Sequence, residues 1–77
     1  MNLRSAKHRA LIAAIVEART AAKLTQRELA AKLKRSNSFV WKIEAGERRV
    51  EVLEFLEIAR VLDVDPADLI KRVTRQG

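Results

Sequence analysis

The chain has 77 residues, enough for one small domain with a single hydrophobic core. It has no cysteine and one histidine, which excludes a disulfide framework and any metal site built from cysteines or histidines, and it has no apolar run approaching the roughly 18 residues that span a membrane. The net charge is +6. Residues 1–49 contain 12 Lys/Arg and 4 Asp/Glu, whereas residues 50–77 contain 4 Lys/Arg and 6 Asp/Glu. The positive charge of the first part of the chain favours a polyanionic partner.

The residue pattern predicts an all-α fold. The chain contains only two glycines and one proline, and no stretch alternates apolar and polar residues as a strand would. We expect one domain over residues 1–77, with its core in about 5–73 and frayed ends at 1–4 and 74–77. The absence of a signal-peptide pattern favours a soluble, cytoplasmic protein. No cofactor, metal or small-molecule ligand is expected.

A first helix is predicted over about residues 5–22. Leu11, Ala14, Ile15 and Ala18 recur at i, i+3, i+4 and i+7 and form its apolar stripe. We expect His8, near the start of this helix, to lie on the surface.

Two short helices joined by a tight turn are predicted next. Thr25 followed three residues later by Glu28 is a capping box, so the second helix begins there and runs through about Leu33. Ser36 suits the N-cap of the third helix, and Gly46 suits its left-handed stop.

The third helix separates an apolar face from an exposed stripe. At 100° per residue, Phe39, Val40 and Ile43 cluster on the face that buries. The opposite face carries side chains suited to reading base edges in the major groove of DNA, because amide, ammonium and hydroxyl groups hydrogen-bond there. We call this set the outer stripe: Asn37, Ser38, Trp41 and Lys42.

Interpretations of the outer stripe that involve no DNA binding stay open at this point. Polar residues on the outer face of a helix are often simply solvated. Trp41 favours a contact surface, because a large aromatic is costly to leave in water. It could instead pack under a neighbouring helix or in a dimer interface.

Two further helices complete the predicted fold. After a basic loop at 46–50, a fourth helix over about 51–62 has a wide apolar face, so we expect it to be the most buried element. That face comprises Val52, Leu53, Phe55, Leu56, Ala59 and Leu62. Asp65 as N-cap and Pro66 at the first position start a fifth helix through about Val73.

At this point the chain resembles the phage-repressor/Cro-type DNA-binding domains of the XRE family. The resemblance covers about residues 8–73 and rests on several linked positions, including the segments IEAGERR at 43–49 and LEFLEIARVLDVDPADLI at 53–70. The other matching positions are Gln26, Ala30, Leu33, Val40 and Ile43. The resemblance implies a compact five-helix domain with a helix-turn-helix at helices two and three.

The resemblance also implies roles for individual residues. The outer stripe would face bases, and Gln26 would contact a phosphate while bracing the third helix. Arg19 and Glu44 would form a buried ion pair. The implied contacts to the DNA backbone are Thr25, Gln26, Arg27, Arg35, Ser36, Arg48 and Arg49.

Three positions depart from the family pattern. Lys34 stands in the turn where glycine is usual, so it either adopts a positive φ at some cost or the turn is reshaped. Arg35 replaces an apolar residue, and Trp41 replaces a small one. The larger indole could tilt the helix in the groove.

These observations favour a sequence-specific transcription regulator of double-stranded DNA, a repressor or autorepressor that binds a pseudo-palindrome as a homodimer. We expect self-association through the exposed part of helix five and the C-terminal tail. A phage repressor, a restriction–modification controller and an antitoxin-type regulator all fit.

A protein-interaction adaptor anchored by Trp41 is the alternative function. The chain is not expected to be an enzyme, since it has no cysteine, no tyrosine and no second histidine. The acids Glu51, Glu54 and Glu57 recur every three residues, which is typical of a solvated face.

Overall fold

A computed structural model describes residues 5–75 of the chain. This part of the chain forms five helices and no strand, which confirms the all-α prediction. The helices are α1 (Ala6–Ala21), α2 (Gln26–Lys32), α3 (Asn37–Glu44), α4 (Val52–Val61) and α5 (Pro66–Thr74). The prediction that residues 74 and 75 are frayed is wrong, because Thr74 ends α5 and Arg75 is its C-cap. The predicted frayed residues 1–4, 76 and 77 lie outside the described residues.

Side-chain caps start most of these helices. Ser5 Oγ accepts a hydrogen bond from the backbone N–H of His8 at 3.1 Å. The predicted capping box of α2 is present, with Glu28 N donating to Thr25 Oγ1 at 3.0 Å and Thr25 N donating to Glu28 Oε1 at 2.8 Å. Asp65 Oδ1 accepts from Ala67 N at 2.9 Å at the start of α5. These bonds satisfy backbone donors that lack partners in the first turn of a helix.

The first four helices end in the same way, with one residue in the left-handed region. Those residues are Lys23 (φ 61°), Lys34 (φ 58°), Gly46 (φ 77°) and Asp63 (φ 57°). In the turn between α2 and α3, Arg35 N donates to Ala30 O at 2.9 Å and Lys34 N donates to Ala31 O at 3.1 Å. This pair of bonds is the Schellman motif, so the turn keeps its usual form and Lys34 adopts the positive φ.

The hydrophobic core draws on all five helices. Its buried apolar residues are Ala14, Ile15, Ala18, Leu29, Ala30, Phe39, Val40, Ile43, Phe55, Ile58, Ala59, Leu62 and Leu69. α1 packs along α5, and α2 packs along α3. The core therefore supports α3 from behind and leaves its outer face open.

Helix α4 is not the most buried element, contrary to the sequence prediction. Phe55, Ile58 and Ala59, at i, i+3 and i+4, face the core. Val52, Leu53 and Leu56 are exposed, with Leu53 80% accessible. The apolar arc of α4 is wider than the surface its neighbours cover, and sequence periodicity does not show which part of such an arc finds a partner.

His8 is buried, so the prediction of a surface position is wrong. It is 1% exposed, and neither ring nitrogen has a hydrogen-bond partner among the described residues. The reason is helical spacing, because His8 lies three, four and seven residues before Leu11, Ile12 and Ile15 and so continues the apolar stripe of α1.

Lys34→Gly should raise the free energy of unfolding by about 0.5–1 kcal/mol, because glycine adopts a left-handed φ without the steric cost that lysine meets. Urea unfolding monitored by circular dichroism would measure the change. The matched control is Lys32→Gly, at the last residue of α2, where glycine should lower the free energy of unfolding by up to about 1 kcal/mol. A loss of stability in both variants would contradict the backbone explanation.

Candidate nucleic-acid interface

The outer stripe of α3 is exposed, and the opposite face of the helix is buried. Asn37, Ser38 and Lys42 are open to solvent, and Trp41 is 48% exposed. Phe39, Val40 and Ile43 are buried against the core. The stripe therefore presents amide, hydroxyl, ammonium and indole groups on one side of a helix of eight residues.

The contact between α2 and α3 is close and dry. Leu29 and Ala30 of α2 have no exposed surface, and they lie in the same core cluster as Val40 and Ile43 of α3. Leu33 is partly buried against that cluster. The small side chain at Ala30 allows the two short helices to approach closely.

The carboxylate of Glu44 joins three helices. Arg19 Nε donates to Glu44 Oε2 at 2.7 Å, and Arg19 Nη2 donates to Glu44 Oε1 at 3.0 Å. Gln26 Nε2 donates to the same Oε1 at 2.7 Å. Arg19 Nη1 also donates to the backbone oxygen of Leu24 at 2.8 Å. We call Arg19, Gln26 and Glu44 the Glu44 network.

The Glu44 network fixes the exit of α3 against α1 and α2. The ion pair that the family resemblance implied is present, and its side chains are only 13% exposed for Arg19 and 7% for Glu44. A bidentate arginine–carboxylate pair has one preferred geometry, which restricts how α3 can rotate. Gln26 uses its amide in this network, so it braces α3 directly.

A second cluster holds the other end of α3. Arg48 Nη1 and Nη2 donate to the two carboxylate oxygens of Glu54, each at 2.7 Å. Arg35 Nη2 donates to Glu54 Oε2 at 3.3 Å. The guanidinium carbons of Arg35 and Arg48 lie 4.6 Å and 4.7 Å from the centre of the Phe39 ring. We call Arg35, Phe39, Arg48 and Glu54 the Glu54 cluster.

Glu54 is not on a solvated face, contrary to the sequence interpretation. Its side chain is 9% exposed. Hydrogen bonds from Arg48 lower the pKa of the Glu54 carboxyl from 4.5 to about 2, and the desolvation of the carboxyl opposes them only in part. The backbone N–H of Glu51 adds a further bond at 3.1 Å. Glu54 is therefore charged at neutral pH, and it ties α4 to the residues around α3.

The remaining candidates for backbone contacts occupy two places. Thr25 caps α2, and Arg27 is exposed in its first turn. Ser36 and Arg49 are exposed on the two sides of α3. Ser36 is the N-cap residue of α3 but makes no capping bond, and its Oγ lies 3.2 Å from Ser38 Oγ instead. The sequence therefore predicted the position of this N-cap correctly, but the side-chain hydrogen bond that such a cap usually makes is absent.

The sequence reasoning missed Glu54 and Phe39 as parts of this surface. Arg48 and Glu54 are six residues apart and separated by a loop, so no helical spacing connects them. A usable signal was the reversal of charge between the basic loop and the acidic start of helix four.

None of the helices in residues 5–75 is long and apolar enough to cross a membrane. The described residues also contain no group of three or more His, Cys, Asp or Glu side chains that could hold a metal ion.

Comparison with known proteins agrees with this geometry. The model of the helix-turn-helix family matches residues 15–69. An XRE-family-like protein from Pseudomonas syringae pv. tomato str. DC3000 has a similar structure, with a TM-score of 0.84 and 44% identity over 91% of this chain and 85% of that chain. The restriction-modification controller protein C.AhdI from Aeromonas hydrophila has a TM-score of 0.72 and 33% identity over 78% of this chain and 91% of that chain. No curated protein matches the chain.

The fold and the exposed third helix define a helix-turn-helix protein. The chain belongs to the XRE-type helix-turn-helix family. It is accordingly a DNA-binding transcription regulator, and its DNA partner is double-stranded.

Glu44→Ala should lower the free energy of unfolding by about 3 kcal/mol, because it leaves the Arg19 guanidinium buried without its partner. Chemical denaturation would measure the loss. Glu17→Ala is the control, since Glu17 pairs with Arg72 on the surface and should lose less than about 1 kcal/mol. Equal losses of unfolding free energy in the two variants would show that the buried Arg19–Glu44 pair matters no more to stability than the surface pair.

Proposed function

We propose that this protein is a sequence-specific repressor or autorepressor that binds a pseudo-palindromic operator as a homodimer, acting in the cytoplasm. The observation that carries the proposal is the outer stripe, whose polar side chains are exposed on a short helix held at both ends. A helix presented in this way fits the major groove, where its first residues and outer face meet the base edges.

Each member of the outer stripe has a different capacity to read bases. Asn37 pairs with adenine through its amide, and Lys42 donates to the acceptors of guanine. Ser38 bonds to several bases and so discriminates less. The half-exposed indole of Trp41 offers an apolar surface to a thymine methyl group and one N–H donor.

Two groups of residues would contact the DNA backbone on either side of α3. Thr25, Gln26 and Arg27 lie at the start of α2. Arg35 and Ser36 precede α3, and Arg49 follows it. Arg48, the remaining backbone contact that the family resemblance implied, is bonded to Glu54 instead. Contacts of this kind set the register of the module on the duplex, and the outer stripe then selects the sequence.

The biological setting that we propose is a controller-type autorepressor. The support is the 33% identity with a protein described as a restriction-modification controller. A methyltransferase or nuclease gene beside the coding sequence would agree with this setting. A toxin gene or a phage cassette in that position would favour one of the other two settings.

The apolar surface of α4 supports a homodimer. Val52, Leu53 and Leu56 lie within one turn of α4, and two of them are more than 70% exposed. An exposed cluster of this kind marks an interaction surface, and a two-fold axis would pair it with itself. Ile70 is also exposed on α5, where the sequence had suggested self-association. We place the centre of the interface on α4.

Lys42→Ala should weaken operator binding by about 1–3 kcal/mol with little effect on random duplex, because it removes a contact to a base. Fluorescence titration against the promoter of its own gene and against random duplex would measure both affinities. Arg27→Ala is the comparison, since the exposed charge of Arg27 should matter equally for both duplexes. Its loss should reduce the salt slope, the magnitude of the slope of log binding constant against log salt concentration, by about 0.9.

Three outcomes would contradict these assignments. If the unchanged protein binds promoter and random duplex equally at physiological salt, the sequence-specific function is wrong. If Lys42→Ala and Arg27→Ala have the same effect on both duplexes, the separate roles are wrong. The co-purification of one protein, together with no salt-dependent binding of DNA, would favour the adaptor function.

Leu53→Gln should weaken dimerisation roughly 100-fold, because each of the two copies loses the burial of one leucine. Sedimentation equilibrium would measure the dissociation constant. Ile70→Gln is the neutral control on α5 and should change it little. Dissociation caused by Ile70→Gln but not by Leu53→Gln would show that the interface lies on α5. If the protein is a monomer at all concentrations and on DNA, the homodimer is excluded.

A further inference from the structure

We propose that Glu54 is a positioning residue for the DNA backbone. It keeps Arg48 as an internal ion pair and directs Arg35 toward a phosphate beside the start of α3. This inference rests on the proposed function only in placing the turn between α2 and α3 against the DNA backbone. It assigns Arg48 a different role from the phosphate contact that the family resemblance implies.

The geometry of Arg48 fits an internal ion pair rather than a phosphate contact. Both of its terminal nitrogens donate to Glu54 at 2.7 Å, and Nη1 also donates to the backbone oxygen of Arg49 at 2.9 Å. Only 33% of its side chain is exposed. Moving Arg48 onto a phosphate would leave the Glu54 carboxylate, 9% exposed, without its main partner.

Arg35 has the opposite properties. It makes one bond to Glu54, at 3.3 Å, and 47% of its side chain is exposed. A guanidinium has five N–H donors in a planar fork, so most of those of Arg35 stay available for an anion. The cluster holds two positive charges and one negative charge, and the surplus charge lies on the more exposed arginine.

Phe39 explains how Arg35 is held without being neutralised. Both guanidinium groups lie against its ring, at 4.6 Å for Arg35 and 4.7 Å for Arg48. Stacking on an aromatic face restricts a side chain that would otherwise sample many rotamers. A phosphate that meets Arg35 in this position does not have to order it first, which lowers the entropic cost of binding.

A competing possibility predicts the opposite change in DNA affinity when the charge of Glu54 is removed. If Glu54 withheld its arginines from DNA, removing its charge would release two cations and tighten binding. Simple electrostatics gives the same expectation, because a negative charge near a polyanion is unfavourable. If Glu54 positions Arg35, removing its carboxylate should weaken DNA binding. A single variant of Glu54 therefore separates positioning from withholding.

The test is Glu54→Gln in the full chain, titrated with random duplex DNA at several salt concentrations. Binding should weaken about tenfold, the size of one charge-assisted contact, and the salt slope should fall by about 0.9. The matched control is Glu57→Gln, which removes the same charge from an exposed position on the same helix. It should leave binding unchanged or slightly tighter.

A double substitution tests whether Glu54 acts through Arg35. Arg35→Ala should lower the salt slope by about 0.9, and adding Glu54→Gln to it should lower the slope no further. A loss of stability alone would reduce the active fraction in both backgrounds and would leave the slope unchanged. Circular dichroism at the assay temperature gives the folded fraction of each variant.

If Glu54→Gln unfolds, Arg48→Lys decides the matter, since it keeps the charge but loses the bidentate pair. The slope should fall by about 0.9 in this variant, whereas the exposed counterpart Arg60→Lys should leave it unchanged. An unchanged slope for Arg48→Lys would overturn the inference.

The inference and the proposed function fail in different ways. Tighter binding of random duplex by Glu54→Gln, or an effect equal to that of Glu57→Gln, overturns positioning even where the protein selects its operator. Equal binding of operator and random duplex overturns sequence-specific regulation even where Glu54→Gln weakens both. The measurements on random duplex do not depend on knowing the operator.

Discussion

The orientation of α3 depends on one buried carboxylate, that of Glu44. A helix of eight residues is about 12 Å long and is not stable by itself in water. Its direction must therefore come from contacts with other helices. Glu44 accepts two bonds from Arg19 on α1 and one from Gln26 on α2, so the end of α3 cannot rotate without breaking bonds to both.

The Glu54 cluster applies the same principle at the other end of α3. In each case a mostly buried carboxylate collects donors from separate elements, and arginine supplies the bidentate bonds. These two acids also neutralise cations that face inward. The surface around the outer stripe then remains positive, because cations such as Arg27 and Lys42 stay exposed.

The sequence predicted those features that depend on local geometry. Helix boundaries follow from caps such as Thr25 and Asp65, and from left-handed stops such as Gly46. The turn at Lys34 is also local, but the sequence left two outcomes open there, a positive φ or a reshaped turn, and the structure shows the positive φ with the Schellman hydrogen bonds. The exposure of the outer stripe follows from helical periodicity once the buried face is known.

The features that depend on tertiary partners were predicted less well. The sequence predicts a surface position for His8, near the start of the first helix, yet the end of the α1 stripe buries it. The wide apolar face of α4 predicts the most buried helix, yet only the side bearing Phe55, Ile58 and Ala59 is covered. Glu54 was assigned to a solvated face by its spacing, and its two arginine partners come from loops that spacing does not relate to α4.

The first turns of α4 connect the two interactions that the protein is proposed to make. Glu54 points toward the arginines beside α3, and Leu53, the preceding residue, is exposed on another side of the same helix. Adjacent residues on a helix are separated by about 100°, so a dimer contact at Leu53 leaves the Glu54 carboxylate undisturbed. The proposed dimer contact and the proposed placement of Arg35 therefore use different sides of the same helix, and one does not obstruct the other.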